Sequence, residues 1–535
     1  MAAEEGIGRQ GPAADFVIIG AGSAGCALAE RLTRSGRYSV LLLEAGPDDR
    51  RISVQVPLGY GMSFYDPAVN WMYWSEPVPG LDGRSVYVPR GKIIGGSSAI
   101  NAMVYLRGLP GDFDDWERAG NPGWGSASAM ALYDRIEAED LPVTTMAPLA
   151  HSTCKAFFAA TDSIGLPRAA DLNRDEEGMG FYPVTIAGGR RLSAARAFLQ
   201  RARRRRNLTI VTGAEVTRLD IEGSRCTGVD YSHREQRFRA RAGREVILSA
   251  GAINSPQLLQ LSGIGPGALL HHHGITVVKD NPWVGENLQD HPGYDITCPA
   301  SVPTLNQEIG PLVPRAFAAL RYLLARTGPL AGSLSHAGGY VRSAPDLSVP
   351  DLQLYFCPSS YDRAPPKTRK LTRPDPFPAF SLCMSLCRPA SRGHVRIRSA
   401  SPTEPPSIQP NLLGEDADVP VMLAGARLME RIAAAAPLRR IMAANAPAPL
   451  DDEARIADIR ARAYSAYHPC GTCRMGPDPS TSVVDPRLRV HGVGGLRVID
   501  SAIFPNITAG NINAPSMLVG VKGAELVLED YGSAA

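Results

Sequence analysis

The stretch "DFVIIGAGSAGCALAERLTRSGRYSVLLLEAG", Asp15 to Gly46, leaves this chain little freedom. "DFVIIG" is an apolar run of strand length. "SAGCALAERLTRS" sets Ala24, Leu28 and Leu32 at helical spacing, and "YSVLLLE" is a second buried run. The pattern predicts a βαβ unit with parallel strands. Gly20, Gly22 and Gly25 read G-x-G-x-x-G at the turn from strand to helix. The first glycine permits the tight turn, the second lets backbone approach a pyrophosphate, and the third allows close helix–strand packing. The helix start at Ser23 offers free N–H groups and a positive dipole end to phosphates. Glu44 closes the second strand, where an acid accepts hydrogen bonds from a ribose. Dinucleotide binding is the expectation.

Companion strands come much later. "NLTIVTGAEV" (Asn207 to Val216), "REVILSAGAINSP" (Arg244 to Pro256) and "GLRVIDSAIFP" (Gly495 to Pro505) are β-rich runs ending in small residues. The last leads into "GNINAPSMLVGVKGAELVLED", whose apolar positions suit a helix. Residues 296–460 between them are proline-rich and lack the βαβ rhythm. "HVRIRS" and "DLQLYFC" there alternate like antiparallel strands. A nucleotide sheet built from separated segments favours FAD over NAD, without excluding a nicotinamide cofactor.

A chain of 535 residues exceeds one ordinary core, so at least two domains are expected. Hydrophobic content of 44% with 20% charged residues describes a globular protein, and a formal charge of +3 points to no partner class. The basic run "RARRRRNLT" (Arg201 to Thr209) is isolated and lacks interleaved aromatics. It reads as a solvated helix end, not a nucleic-acid patch. Residues 1–14 lack the apolar core of a signal peptide and read as a loose tail. No window of about 18 apolar residues suggests a transmembrane helix. Nine scattered cysteines fit a reducing compartment, and a cytoplasmic location is expected.

A second glycine cluster, "RGKIIGGSSAINAMVYLRG" (Arg90 to Gly108), is another place where backbone can run close to a ligand. "AYHPCGTCRMG" (Ala466 to Gly476) leaves three chemistries open: thiols on a metal, a redox disulfide, or a histidine base beside cysteines that pack. One C-x-x-C supplies two of the four ligands of structural zinc. Cys383 and Cys387 are loosely spaced for a second pair, so packing is expected and no metal site. "HHHG" (His271 to Gly274) suits the last turn of a helix, and His291 in "GENLQDHP" reads as structural.

The glycine fingerprint, "RGKIIGGSSAINAMVYLRG", "GAINSPQLLQLSGIG", "HPCGTCRMG" and "GLRVIDSAIFP…GNINAP" occur in that order. Through them the chain resembles the glucose–methanol–choline (GMC) oxidoreductases. The resemblance implies an α/β, Rossmann-like FAD-binding domain of discontinuous segments plus an α+β substrate domain with an antiparallel sheet. The first is expected over 15–155, 205–295 and 465–535, and the second over 156–204 and 296–464. It implies that Gly95, Gly96, Ser97 and Asn101, with Ala102, Met103 and Val104, lie against the flavin. Val216 would contact adenine, and Asp500, Ser501 and Asn513 to Ser516, including Ala514, would close over the flavin. Some relatives attach FAD through a histidine just before the asparagine. Here Ile100 precedes Asn101, so noncovalent FAD is expected.

The resemblance also implies the chemistry. His468 would face flavin N5 and take the hydroxyl proton, as neutral imidazole can near neutral pH. Asn513 would hydrogen-bond the same oxygen while also capping the helix that Pro515 enters. The expected reaction is FAD-dependent oxidation of a small primary, aryl or furanic alcohol to the aldehyde, as in the similar aryl-alcohol and hydroxymethylfurfural oxidases. Oxygen or another acceptor would take the electrons. Two other readings stay open: a lyase on this scaffold, like the hydroxynitrile lyases, and a flavoprotein with structural FAD.

Overall fold

Seven strands form a mixed sheet in a computed structural model that describes residues 9–532 except 175, 362–373 and 445–448. They are β1 (Arg9–Ile19), β2 (Val40–Glu44), β3 (Leu208–Thr212), β4 (Ala214–Glu222), β5 (Arg225–His233), β6 (Gln236–Leu248) and β7 (Leu496–Val498). Their order is β3-β2-β1-β6-β5-β4, with β7 beside β6. β3, β2, β1, β6 and β7 run parallel, while β4, β5 and β6 form an antiparallel meander. Every residue of β2 is buried, because β1 and β3 flank it and the helix Ser23–Thr33 and β4 pack on it. That is why its sequence is a continuous apolar run. Helix α1 (Ser23–Thr33) crosses from β1 to β2 and packs against the C-terminal helix (Asn513–Asp530). The approach is close at Gly520, where a Cβ would lie 2.6 Å from the Ala24 carbonyl oxygen. Helix α2 (Gly251–Leu261) follows β6.

The expected N-terminal tail is partly strand. β1 begins at Arg9, which pairs with Phe238, and Ala13 pairs with Arg241. Residues 1–8 lie outside the described residues. β6 is 13 residues long and projects past the buried layer, so its edge offers backbone groups that a partner strand satisfies. The side chains of Arg9 to Ala14 stay largely exposed, which leaves no apolar alternation to read.

The second sheet has six antiparallel strands, in the order Tyr464–Ser465, Pro292–Pro299, Ala379–Leu386, Leu352–Cys357, Ala337–Val341, Gly178–Phe181. "DLQLYFC" supplies one of them. "HVRIRS" does not: His394–Arg396 pairs with Ser407–Gln409 in a separate two-stranded ribbon. The core of this half gathers Leu354, Phe356, Phe380 and Leu382 with Met422 and Met429.

The two cores interleave in sequence more than the expected boundaries allow. Tyr73, Val78, Val86 and Val88 pack into the second core. Ala195, Phe198, Leu199 and Ala202 pack into the first, against α1. Helix α3 (Leu312–Ala325) lies on the surface, with Ala318 and Tyr322 buried. No described helix is long and apolar enough to cross a membrane.

Candidate active site

A cavity of about 460 Å³ is lined by residues of both sheets. Its first end is built from backbone. Gly20 has φ +95, and a Cβ there would sit 2.5 Å from the Ser249 carbonyl oxygen. A Cβ on Gly25 would lie 2.0 Å from the Gly20 carbonyl oxygen, so Gly25 serves helix–strand packing and stands behind the lining. At Gly22 the nearest atom to a Cβ is 3.8 Å away, and this glycine faces the open side. The second glycine loop is strapped to the first. The Gly95 amide donates to the Ala21 carbonyl at 2.7 Å, and a Cβ on Gly96 would lie 2.7 Å from the Gly22 Cα. Gly95 itself, with φ +93, makes that turn and does not line the cavity.

Carboxylates brace this end. Glu44 accepts the Ala21 amide at 2.8 Å and the Gly46 amide at 2.9 Å. Burial raises its pKa to about 7, and each oxygen keeps a lone pair for a further donor. Asp500 accepts the Gly251 amide at 2.8 Å, the Ser255 hydroxyl at 2.6 Å and the Ala502 amide at 2.7 Å. It ties the start of α2 to the segment that carries Ser501. Val216 on β4 lines the same end.

The Asn101 side-chain oxygen accepts the Met103 amide at 3.0 Å and Arg191 Nη1 at 2.8 Å. Met103 takes φ +64. This holds Asn101 to Val104 as a turn along the cavity, together with Gly96, Ser97 and Ile100. The C-terminal helix is capped at Ile512, not at Asn513. Asn513 instead accepts the Ser23 hydroxyl at 2.8 Å, and its Nδ2 is buried with no protein partner among the described residues. Ala514 lies in the core behind.

These residues fit FAD. Gly22 is open to a ligand, the Asn513 amide is an orphaned donor on the cavity, and α1 starts there with no side-chain cap on its first amides. The Gly20–Ser23 loop would hold the pyrophosphate, Glu44 a ribose, Val216 the adenine, and Gly96 to Val104 with Asn513 the flavin.

The other end is built from side chains. His468 Nε2 lies 3.0 Å from Asn511 Nδ2, and His468 Nδ1 lies 2.9 Å from His291 Nδ1. His291 Nε2 lies 3.1 Å from the Cys387 carbonyl oxygen. The expected partner, Asn513, is therefore replaced by Asn511. Gln353 Nε2 donates to the Asn511 side-chain oxygen at 3.3 Å, which turns the amide nitrogen toward His468.

Hydrogen-bond chemistry sets the protons of this chain. Burial lowers the His291 pKa to about 4, and burial, with His291 and Arg90 nearby, holds His468 well below its ordinary value. Both rings are neutral near pH 7. A carbonyl only accepts, so His291 carries its proton on Nε2 and presents a bare Nδ1. His468 must then donate from Nδ1. Its unprotonated Nε2 then accepts from Asn511 Nδ2, on the wall of the cavity.

The backbone fixes this ring. The His468 amide donates to Asp290 Oδ1 at 2.8 Å, and Tyr467 before it has φ +70. Burial raises Asp290 to about 6. Arg90 Nη2 donates to the Tyr467 carbonyl at 2.6 Å, and burial lowers its pKa to about 10. Around them the lining is aromatic and soft: Tyr60, Phe64, Tyr355, Tyr361, Tyr467 and Met384. Among the described residues, the lining carboxylates are Glu44, Glu215, Glu404 and Asp500. Glu44, Glu215 and Asp500 are held at the glycine loops, Lys92 or α2, and the Glu404 carboxylate accepts the Ser399 hydroxyl.

The remaining motifs lie elsewhere. Cys470 and Cys473 are buried in the first core, and burial raises both thiols far above their ordinary value. His271 and His272 end the short helix Gly267–His272. In the basic run, Arg203 pairs with Asp48 at 2.9 Å and Arg205 with Glu30 at 2.7 Å.

Residues 14–293 and 389–520 match the family models for the N- and C-terminal parts of the GMC oxidoreductases. The chain is 38% identical to an alcohol dehydrogenase [acceptor] of Pseudomonas putida, over 97% of each chain. It is 40% identical to an oxygen-dependent choline dehydrogenase of Brucella canis, over 96% of this chain and 95% of the relative. Among solved structures, pyridoxine 4-oxidase from Mesorbium loti superimposes with a TM-score of 0.84 at 31% identity, covering 96% of this chain and 98% of that one.

Proposed function

The chain belongs to the GMC oxidoreductases, and from that premise we propose that it oxidises an uncharged, apolar or aromatic primary alcohol to the aldehyde. It is an FAD-dependent alcohol oxidoreductase. Bound FAD supplies the two-electron acceptor for the hydride of the carbinol carbon. What the chain supplies is a seat and a proton acceptor. A substrate hydroxyl that replaces the direct Asn511–His468 bond donates to His468 Nε2 and accepts from Asn511 Nδ2. As the proton moves, His468 Nδ1–H stays bonded to His291, which has a lone pair to keep the imidazolium oriented.

The observation that carries the reading is an unprotonated His468 Nε2, paired only with the Asn511 amide among the described residues, at the aromatic end of the cavity. The substrate class follows from what surrounds it. Aromatic rings and Met384 bury apolar surface. Among the described residues, no lining carboxylate stands at this end to pair with a quaternary ammonium, and Arg90 is a charge on the wall. That argues against choline, although a choline dehydrogenase is among the relatives. We also propose that FAD is held noncovalently, since Ile100 lines the cavity where a linking histidine would be needed. Acid precipitation should then leave the yellow colour in the supernatant.

Anaerobic mixing of the FAD-loaded protein with an alcohol panel tests the reading. Benzylic and medium-chain primary alcohols should bleach the flavin at least about tenfold faster than choline, roughly the effect of 1.4 kcal/mol. Choline as the best substrate, or no bleaching with any alcohol, would sink it.

A further inference from the structure

Helix α3 concentrates exposed apolar surface that the folded protein does not use. Leu312, Val313, Phe317, Leu320, Leu323 and Leu324 are between 52% and 79% exposed. At 100° per residue they fall within an arc of about 140°. The buried Ala318 and Tyr322 lie on the opposite side, and Tyr322 anchors the helix by donating to the Gly189 carbonyl at 2.9 Å. The apolar arc therefore points away from the protein.

The charges on the helix itself have one sign, and Glu308, on the short helix before it, is an acid near Arg321. Residues 309–332 contain Arg315, Arg321 and Arg326 and no acidic residue. The same helical geometry puts Arg321 on one rim of the arc, and Arg315 and Arg326 on the other. Behind the helix, burial lowers the pKa of Arg196, with Arg190 and Arg326 adding repulsion that Asp49 partly offsets. An apolar strip with arginines on both rims matches a bilayer surface, where the strip enters the acyl boundary and guanidinium groups reach phosphates. A partner helix would ask for a narrower seam and for acids as well as bases along it.

Position agrees. α3 packs on the turn Pro329–Ala331, which packs on the turn Pro57–Gly59. The latter leads into Tyr60 and Phe64 of the cavity wall, and Leu334 and Ser335 follow the former into that wall. At 14 residues and about 1.5 Å per residue, α3 is too short to span a hydrocarbon core of about 30 Å.

We infer that α3 is an interfacial helix that seats the protein on an anionic lipid bilayer, beside the substrate end of its cavity. The reading does not depend on the substrate proposed above. The test uses the full FAD-loaded chain floated with vesicles of phosphatidylcholine alone or mixed with phosphatidylglycerol. Binding to the mixed vesicles should be strong at low salt and at least about tenfold weaker to the neutral ones. Replacing Arg315, Arg321 and Arg326 together by Gln should weaken it about a hundredfold, near fivefold per arginine. Phe317→Ser with Leu324→Ser should abolish it, while FAD content and melting temperature stay at the parent value, since both side chains are exposed. No binding of the parent to mixed vesicles would overturn the inference, as would unchanged binding of the double serine variant. Sedimentation adds a third check: a parent dimer that this variant turns into a monomer would assign the face to a second copy of the chain.

Discussion

At one end of the cavity the protein meets its ligand with backbone, and at the other with side chains. Gly20, Gly22 and Gly96 make the first end by leaving Cβ atoms out, within loops that local sequence determines. His468, Asn511, His291 and Gln353 make the second from four separated segments. The first end is therefore a matter of shape and should fail through lost cofactor. The second is a matter of proton placement and should fail through lost rate with the cofactor still bound.

The sharpest way to break that division is His468→Ala. General base catalysis contributes roughly 100- to 10,000-fold, and anaerobic flavin reduction by a good alcohol should slow by that factor at near-normal FAD content. Stopped-flow absorbance across a pH series adds a second reading. The His468 pKa is lowered, so its neutral form persists as pH falls. Reduction should stay flat down to about pH 6, below the ordinary imidazole value of about 6.5, and decline only in more acid solution. A variant as fast as the parent at every pH would remove His468 from the chemistry.

Gly20→Ala attacks the other end. The new Cβ meets the Ser249 carbonyl oxygen at 2.5 Å in a backbone with φ +95, and strain of this kind costs about 1–3 kcal/mol. FAD retention after gel filtration should drop about tenfold or more, while the fraction that keeps FAD reduces at the parent rate. A normal FAD content with a slow rate would show that the two ends are not separable.

What could be read in advance divides along the same line. The βαβ unit and its glycines were legible because their causes are local: a strand-length apolar run, helical spacing, and turn geometry that glycine meets. The start of β1 was not, because Arg9 to Ala14 are recruited by the projecting edge of β6 through backbone pairing alone. Asn511 was missed in favour of Asn513 because "GNINAP" offers two asparagines two residues apart. The choice between them turns on where the helix starts and which side chain it aims at Ser23. Arg90 and Gln353 carried no local signal, and the aromatic wall around Tyr355 and Tyr361 exists only once the second sheet has folded.

The asparagine pair gives a finer comparison. Asn511→Ala removes one hydrogen bond at the hydroxyl seat, worth about 0.5–1.5 kcal/mol, so reduction should slow by about tenfold with FAD retained. Asn513→Ala removes the Ser23 contact and the orphaned donor at the cofactor end. It should loosen FAD and leave the rate per bound FAD within about twofold of the parent. Slow reduction at full FAD content in Asn513→Ala would return that residue to the chemistry.

The smallest effect belongs to Cys470 and Cys473, which share a motif with His468 and none of its exposure to the cavity. Both are buried in the first core, and their thiols are held far above the ordinary value by burial. A thiol so raised stays protonated at neutral pH and is a poor nucleophile or metal ligand. Their contribution is then packing. Replacing both with Ala should lower stability by a kcal/mol or so per site, read by denaturant unfolding. Replacing both with Ser should cost more, because a buried hydroxyl without a partner pays roughly 1–3 kcal/mol. That ordering separates packing from chemistry, since a ligand or redox role would favour neither replacement. In both variants the rate of flavin reduction per bound FAD should match the parent. Loss of flavin reduction at full FAD content, or release of stoichiometric zinc from the parent on unfolding, would move the cysteines from the core to the site.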